Sequence, residues 1–499
     1  LISKVLIRRI EMDIAQIKGI GKELNAFLSQ FDDCFGRSGS RRNLRVYVKG
    51  QLSNLPRKSV EPIALAANIP PRTLQCFLSI LPWDHQRLRD KIQWIVATEH
   101  AKPSAIGIVD DSGNPKKGAY TAGVQWQWCG NTGKTDNCVV GVHIAYAAGD
   151  FQCILDSDVY LPEDWANDPV RRKKAFIPED VIYRKKADIA LDQISRSMQN
   201  GIRVFAWTFD EFYGRDGEFL DGLEGRGQNY VGEIPSDFSG WLYEPEILVA
   251  PTAQQRHKRG RKKHFPRLAR KALAASEVRN LLVYSRVFQK QKWEPFHIKD
   301  SDNGPVVWEV KHARFYRKQG SDGLPGPPHY LIIARNVLNP GEMKYFISNM
   351  VPGLNGITLE KLLWAAFSRF PIERCFEVGK RELGMDHFEV RSWTAIHRHF
   401  YISQLSYLFC ACIHQKLREK NDREFLFNCR AGSGSSVYVG RGTTTVSKRS
   451  ASTLSTGFRT DFVLSTTQPL CSDLPYKENP CRSLSVRNKC RTFEVMCTQ

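Results

Sequence analysis

One short stretch constrains the fold more than any other. Ala105-Ile106-Gly107-Ile108-Val109-Asp110-Asp111-Ser112-Gly113 is apolar over the length of a strand, then abruptly acidic, then glycine. Such a run reads as a short buried strand over residues 106–109 with a turn at Gly113. A carboxylate at a strand end is held by a rigid scaffold yet faces solvent. The pattern recurs where residues 204–209 read as a strand ending at Asp210-Glu211, and a third acid, Glu373, falls in a helical stretch. A chain built this way is expected to be α/β, with its strand ends gathered at one place.

Around that strand the sequence divides into five segments. Residues 1–100 are helical. Ile10, Ile14 and Ile17, then Leu24, Phe27, Leu28 and Phe31, recur at helical spacing, with Gly19 and Gly21 separating the two runs. A basic loop follows at Arg37, Arg41 and Arg42. The next helix starts near Val60 with Ser59 as cap and Pro62 in its first turn, and Pro71 opens another. Leu88, Ile92 and Ile95 form one face of a further helix. No helix-turn-helix signature is sharp, so this region is either a DNA-binding domain or a helical cap on the core.

Residues 101–235 read as strands at 106–109, 122–128, 139–147 and 151–155, the last two joined at Gly149-Asp150. A loop carries Arg171-Arg172-Lys173-Lys174, and a helix at 187–198 precedes the strand that ends at Asp210. Trp126 and Trp128 lie in a strand and are expected to pack within the sheet. Residues 236–355 form a basic, β-rich insertion with strands at 306–316, 330–337 and 344–347, and Arg267, Arg270 and Lys271 are expected on a helix. Residues 356–425 are helical again. Thr358 serves as a cap, Pro371 either ends that helix or falls in the first turn of the next, over about 372–383, and a last helix starts near Trp393. Residues 426–499 lack periodicity and read as a disordered basic tail.

Charge narrows the partner. With 72 Lys and Arg against 52 Asp and Glu, the formal charge is +20, which favours a polyanion, nucleic acid first. Arg41, Arg42, Arg45, Arg57 and Lys58 are candidate DNA contacts. So is the block Arg256, Lys258, Arg259, Arg261, Lys262 and Lys263, which suits a phosphate backbone. The 13 cysteines are odd in number and form no CxxC pair, as expected in a reducing compartment. The opening residues 1–10 have no cleavage-type ending, and no stretch is long and apolar enough to span a bilayer.

The acids define the chemistry. Asp110 and Asp210 on neighbouring strands suit bridging divalent metal, Mg²⁺ above all and Mn²⁺ as a substitute. Two such ions, about 3.5–4 Å apart, activate an oxygen nucleophile and stabilise a leaving oxygen. Glu373 has Arg369 four residues before it and Lys380 seven after it, so a continuous helix puts all three near one face. An ordinary surface ion-pair face has the same spacing. Asp111 and Glu211 compete for the same roles. Adjacent strand residues point to opposite faces, so at most one of each pair reaches a shared metal.

Longer strings bear on these choices. Asp110-Asp111-Ser112-Gly113-Asn114-Pro115-Lys116-Lys117-Gly118 begins a series that continues through Cys129-Gly130, Asp136-Asn137-Cys138 and Tyr160-Leu161-Pro162-Glu163-Asp164-Trp165. It runs on to Asp210-Glu211-Phe212-Tyr213-Gly214, Ile372-Glu373 and Val390-Arg391-Ser392-Trp393. Together these resemble transposases of the IS701 family, within the IS4-like DDE group. The resemblance implies an RNase H-like catalytic core interrupted by the insertion, with Asp110, Asp210 and Glu373 as the catalytic, metal-binding triad. Arg369 and Lys380 match the supporting basic positions, while the signature tyrosine three residues before the arginine is Ala366 here. It further implies Mg²⁺-dependent cleavage of double-stranded transposon-end DNA and strand transfer into target DNA. The same resemblance implies a homodimer or higher-order complex on DNA, in the cytoplasm of a bacterium and associated with the nucleoid. A nuclease that does not join DNA and an inactive, transposase-derived DNA-binding protein are the competing expectations. The Arg256 block as a nuclear import signal is set aside on the same ground.

Overall fold

The computed structural model describes residues 14–250, 264–301, 304–320 and 322–431. The expected contacts Arg256, Lys258, Arg259, Arg261, Lys262 and Lys263 lie outside them, as do residues 432–499 of the expected tail. Five helices come first: α1 (Ile14–Ser29), α2 (Ser38–Gln51), α3 (Val60–Ala66), α4 (Pro71–Ser79) and α5 (His85–Glu99).

Two expectations fail here. α1 runs unbroken through Gly19 and Gly21. Each glycine costs a helix about 1 kcal/mol, and burial of Leu24, Phe27 and Leu28 on the following turns offsets it. The basic loop is instead the first turn of α2, whose Leu44, Tyr47 and Val48 are fully buried.

The strands follow as β1 (Ile106–Pro115), β2 (Gln125–Cys129), β3 (Lys134–Ala148) and β4 (Phe151–Val159). Next come α6 (Glu163–Ala166), α7 (Pro169–Lys174), α8 (Lys186–Gln199), β5 (Ala206–Thr208), α9 (Glu211–Gly214) and α10 (Gly217–Gly225). The basic run from Arg171 to Lys174 is therefore helical, started by Pro169 and by Asp168, which accepts from the Val170 and Arg171 amides. The first sheet has the order β2-β3-β1-β5, with β4 on β3. β1 pairs antiparallel with β3 from Ile106↔Ala147 to Pro115↔Cys138 and parallel with β5 only from Ile106↔Ala206 to Ile108↔Thr208.

This corrects the opening expectation. β1 does not end at Asp110 and does not turn at Gly113. It continues because β3 is long enough to satisfy its backbone groups as far as Pro115. Gly113 serves a different purpose: a Cβ there would collide with Cys129. The strand that does stop is β5, and its end uncovers the flank of β1 at Asp110.

A second, larger sheet follows. Its strands are β6 (Val231–Ile234), β7 (Ser239–Trp241), β10 (Ser276–Glu277), β11 (Glu294–Ser301), β12 (Gly304–Gln319), β13 (Leu324–Asn336) and β14 (Met343–Ser348). The order is β10-β7-β12-β13-β14-β6, with β11 on β12. β8 (Ile247–Leu248) and β9 (Arg267–Leu268) form a separate pair, so Arg267 is in a strand. Arg270 and Lys271 are in a turn, not on the expected helix. Short helices α11 (Val278–Tyr284) and α12 (Arg286–Lys290) belong to the same part of the chain. The two sheets meet beside the acids: Trp207 bridges to Tyr230, and the Glu233 amide donates to the Phe209 carbonyl at 3.1 Å.

The chain closes with α13 (Leu359–Ala366), α14 (Phe370–Arg381) and α15 (Trp393–Ala431). The N-terminal helices pack on α15. Tyr47 meets His399 at 2.9 Å, and Gln51 donates to Ser403 at 2.8 Å and accepts from Ser406 at 2.8 Å, all buried. Among the described residues, no helix is long and apolar enough to cross a membrane.

Candidate active site

Three distant parts of the chain supply the acids. Asp110 stands in β1 opposite His143, two residues beyond the last β5 pairing. Asp210 lies two residues beyond the end of β5 and caps α9, accepting from the Phe212 and Tyr213 amides at 3.1 and 3.3 Å. Glu373 lies in the first turn of α14. Gly214 lets α9 sit hard against β6, because a Cβ there would overlap the Glu233 carbonyl. The residue after Asp210 is thus turned back at once into the fold.

Arg369 ties the parts together. It immediately precedes α14 and donates from Nη1 to Asp110 Oδ2 at 2.9 Å and from Nη2 to Glu373 Oε1 at 2.7 Å. Pro371 sits in the first turn, where its missing N–H costs nothing. The expected one-face spacing of Arg369 and Glu373 is therefore realised although α13 and α14 are separate helices. Ala366, at the position of the signature tyrosine, is buried in α13.

The electrostatics follow from burial. Asp110 is pushed up to about 7, first by burial and then by Asp210 and Asp111, against the pull of Arg369 and the Asp111 amide. Asp210 is raised by burial and by Asp111, against its cap hydrogen bonds and Arg369. Arg369 loses to burial but gains more from Asp110, Glu373 and Asp210, so its affinity for the proton rises. Lys380 is held below the ordinary lysine range by burial, opposed by Asp386, Cys129 and Asp110. A cavity of about 590 Å³ is lined by Asp110, Asp111, Ser112, Glu373, Phe376 and Lys380 among others.

The competing acids separate. Asp111 faces the same cavity but is paired with Lys186 of α8 at 2.8 Å. Glu211 pairs with Arg215 at 3.0 Å and lines a different cavity of about 290 Å³ with Glu233, Arg279 and Lys344. Lys186 has no local sequence signal, since only the packing of α8 brings it to Asp111. His143 is likewise invisible in sequence. It is fully buried, held neutral with its pKa lowered to about 3 by burial, and bonded to Ser157 at 2.6 Å behind Asp110.

The expected DNA contacts near the N-terminus are mostly committed elsewhere. Arg45 pairs with Asp32 at 3.0 Å, Arg57 with Glu389 at 2.8 Å, and Arg41 donates to the Phe35 carbonyl at 3.2 Å. Lys58 is buried and donates to the Glu382 carbonyl. Arg42 is exposed and forms no ion pair with a described residue. Trp126 and Trp128, expected to pack in the sheet, are exposed instead. Their faces of β2 point outward, and the opposite face is occupied by buried Cys129.

The donors present are carboxylate oxygens, which suit a hard divalent cation. Among the described residues, no three acid, histidine or cysteine side chains stand close enough together to ligate one ion. Arg369 occupies the space between Asp110 and Glu373.

Over 191 residues the chain is 30% identical to a protein of Microchaete diplosiphon described as a probable transposase for insertion sequence element IS701. That region is 38% of this chain and 47% of the relative, so the chain spans about half the length of the curated relative it matches. Residues 30–301 match the model of the DDE superfamily endonuclease family, a span that holds Asp110 and Asp210 and ends before Arg369, Glu373 and Lys380. With more than half of its 499 residues in that match, the chain belongs to the DDE superfamily endonuclease family.

Proposed function

We propose that the protein is a metal-dependent DNA transposase that cuts transposon ends and joins the exposed 3′-hydroxyl to target DNA. The observation that carries this reading is the Arg369 bridge. It links Asp110 and Glu373, from opposite sides of the long insertion, beside the strand end that carries Asp210. The strand order β4-β3-β1-β5, antiparallel except for the parallel β1–β5 pair, supports an RNase H-like core. In that reading, the second sheet is its insertion.

Asp110, Asp210 and Glu373 are the residues that would hold Mg²⁺ or Mn²⁺. The fit rests on charge as well as donor type. Asp110 is raised by the charges of Asp210 and Asp111, and burial, the largest cause, drives it up to about 7. Added positive charge relieves that cost. A divalent cation bound there supplies an activated oxygen nucleophile and a neutralised leaving oxygen. The chain's own groups do the rest. Asp210 is aimed by the α9 amides, and Lys186 holds Asp111 to the side. Lys380 lines the cavity and offers a cationic contact to a phosphodiester there, while Arg369 holds Asp110 and Glu373. Joining two transposon ends requires two sites, so the working form is a homodimer or larger assembly on double-stranded DNA.

The placement of Arg369 between the acids favours a second reading, an inactive DNA-binding relative. Incubation with cognate end DNA and target DNA in Mg²⁺ decides between them. The transposase reading expects nicked ends and covalent joints that vanish in Asp110→Asn, Asp210→Asn and Glu373→Gln. Nicks without joints would leave a nuclease only. DNA binding without nicks would sink the enzymatic reading.

A further inference from the structure

The β2–β3 hairpin presents a surface that the cutting reaction does not use. Trp126 is 69% exposed and Trp128 64% exposed. They stand two residues apart in β2, so both project from one face. Their cross-strand neighbours are Asn137 and Thr135, which are too small to cover two indoles. The opposite face cannot take them in, because Cys129 is buried there and Gln127 is bonded to the Cys138 carbonyl at 3.0 Å. Single exposed apolar residues are ordinary; two aligned tryptophans on one hairpin are not.

Three observations indicate what covers them. Gly130 and Asn131, which continue directly from β2, line the cavity that contains Asp110, Glu373 and Lys380. The hairpin therefore rises from the rim of the candidate active site. Exposed lysines flank the rings. Residues 116–118 are stitched to Asn137, opposite Trp126, by the Lys116 amide at 2.8 Å and by the Asn137 side chain at 2.7 and 3.0 Å. This places exposed Lys117 at one end, and exposed Lys134, paired with Cys129, stands at the other. Neither lysine forms an ion pair with a described residue. Tyr120, which follows Lys117 in the same loop, is 59% exposed, with the Lys174 amine 5.8 Å from its ring centre.

Exposed ring faces interleaved with amines match single-stranded nucleic acid, whose bases stack on aromatic side chains while its phosphates meet cations. A duplex keeps its bases stacked on each other and offers these rings no face. We propose that Trp126 and Trp128 stack the unpaired bases of the DNA strand whose phosphodiester lies in the adjacent cavity. This rests on reading that cavity as a DNA-cutting site.

Binding of the full chain in EDTA, where no cutting enters, tests the idea. The probes are a blunt duplex and the same duplex with a single-stranded oligothymidine extension, compared by fluorescence anisotropy at fixed salt. The unaltered protein is expected to prefer the extension and to show quenched tryptophan emission with it. The pair Trp126→Ala and Trp128→Ala should weaken extension binding by roughly 10- to 100-fold and leave blunt-duplex binding unchanged. The paired Phe substitutions should keep most of the preference, and the paired Leu substitutions should lose it. Should the Ala pair not fold, the Phe and Leu pairs carry the comparison. Equal binding of both probes by the unaltered chain, or a preference retained in the Leu pair, overturns the stacking proposal and leaves the DNA reading intact. Failure to bind either probe overturns the DNA reading itself.

Discussion

Arg369 and Asp110 stand 259 residues apart in sequence and meet at 2.9 Å. The guanidinium opposes the burial that raises Asp110, and its second arm reaches Glu373. One side chain thus holds two acids in place and lowers the proton affinity of Asp110.

Removing that arm should act through pH as well as rate. Arg369→Ala deletes the group that lowers the Asp110 pKa, so the acid limb of a cleavage pH profile should move to higher pH. The rate at the optimum should fall by about 10²-fold or more, as for loss of a preorganised charge. Arg369→Lys keeps a charge but not the two-armed geometry and should restore the pH limb better than the rate. Single-turnover cleavage across pH 5–9 checks this, and an unmoved limb would remove Arg369 from its electrostatic role.

Asp110 should carry a stability cost that its neutral isostere lacks. Its folded pKa of about 7 lies above the ordinary 3.8. Between those values the folded state keeps a proton that the unfolded chain has lost, so stability falls as pH rises through that window. Asp110→Asn should match the unaltered protein near pH 4. Near pH 7.5 it should be more stable by about 1–3 kcal/mol, with cleavage abolished. Denaturant titrations at the two pH values measure the difference. A variant less stable at pH 7.5 would contradict the account.

Divalent metal should relieve the same cost. Mg²⁺ should raise the melting temperature of the unaltered protein more at pH 8 than at pH 6, because protons compete for the carboxylates. EDTA should reverse the gain, and Asp110→Asn with Asp210→Asn should show none. A melting curve indifferent to Mg²⁺ at pH 8 would argue against an ion at these residues.

Two of the expected basic contacts should behave in opposite ways. Lys58 is buried on the Glu382 carbonyl, so Lys58→Ala should lower stability by about 1–3 kcal/mol, the cost of an unpaired buried polar group. Its effect on DNA affinity should be negligible. Arg42 is exposed on α2, so Arg42→Ala should leave melting unchanged and reduce the salt slope of DNA binding by about one. Melting curves paired with salt-dependent binding separate the two roles, and a reversal would exchange their assignments.

Sequence by itself determined much of this protein. Periodicity located α5, α8 and the long strands β12 and β13, because each buries a regular stripe of side chains. The resemblance to IS701-family transposases singled out Asp110, Asp210, Glu373, Arg369 and Lys380. Sequence also determined the strong positive charge, whatever the fold. Local pattern did not reveal where strands stop pairing. Asp110 has no β5 neighbour because β5 ends at Thr208 while β1 continues along β3, and that difference depends on partners far along the chain.

Tertiary structure alone decided which charges are committed. Arg45 and Lys58 look like free cations in sequence, but Asp32 and a buried carbonyl claim them. Lys186 looks ordinary and reaches Asp111. Trp126 and Trp128 read as packing residues and face outward, because Cys129 and Gln127 fill the other side of β2. Side-chain type and spacing are local properties carried by the sequence. Exposure and pairing depend on which distant surface arrives at each residue, and only the folded chain fixes that.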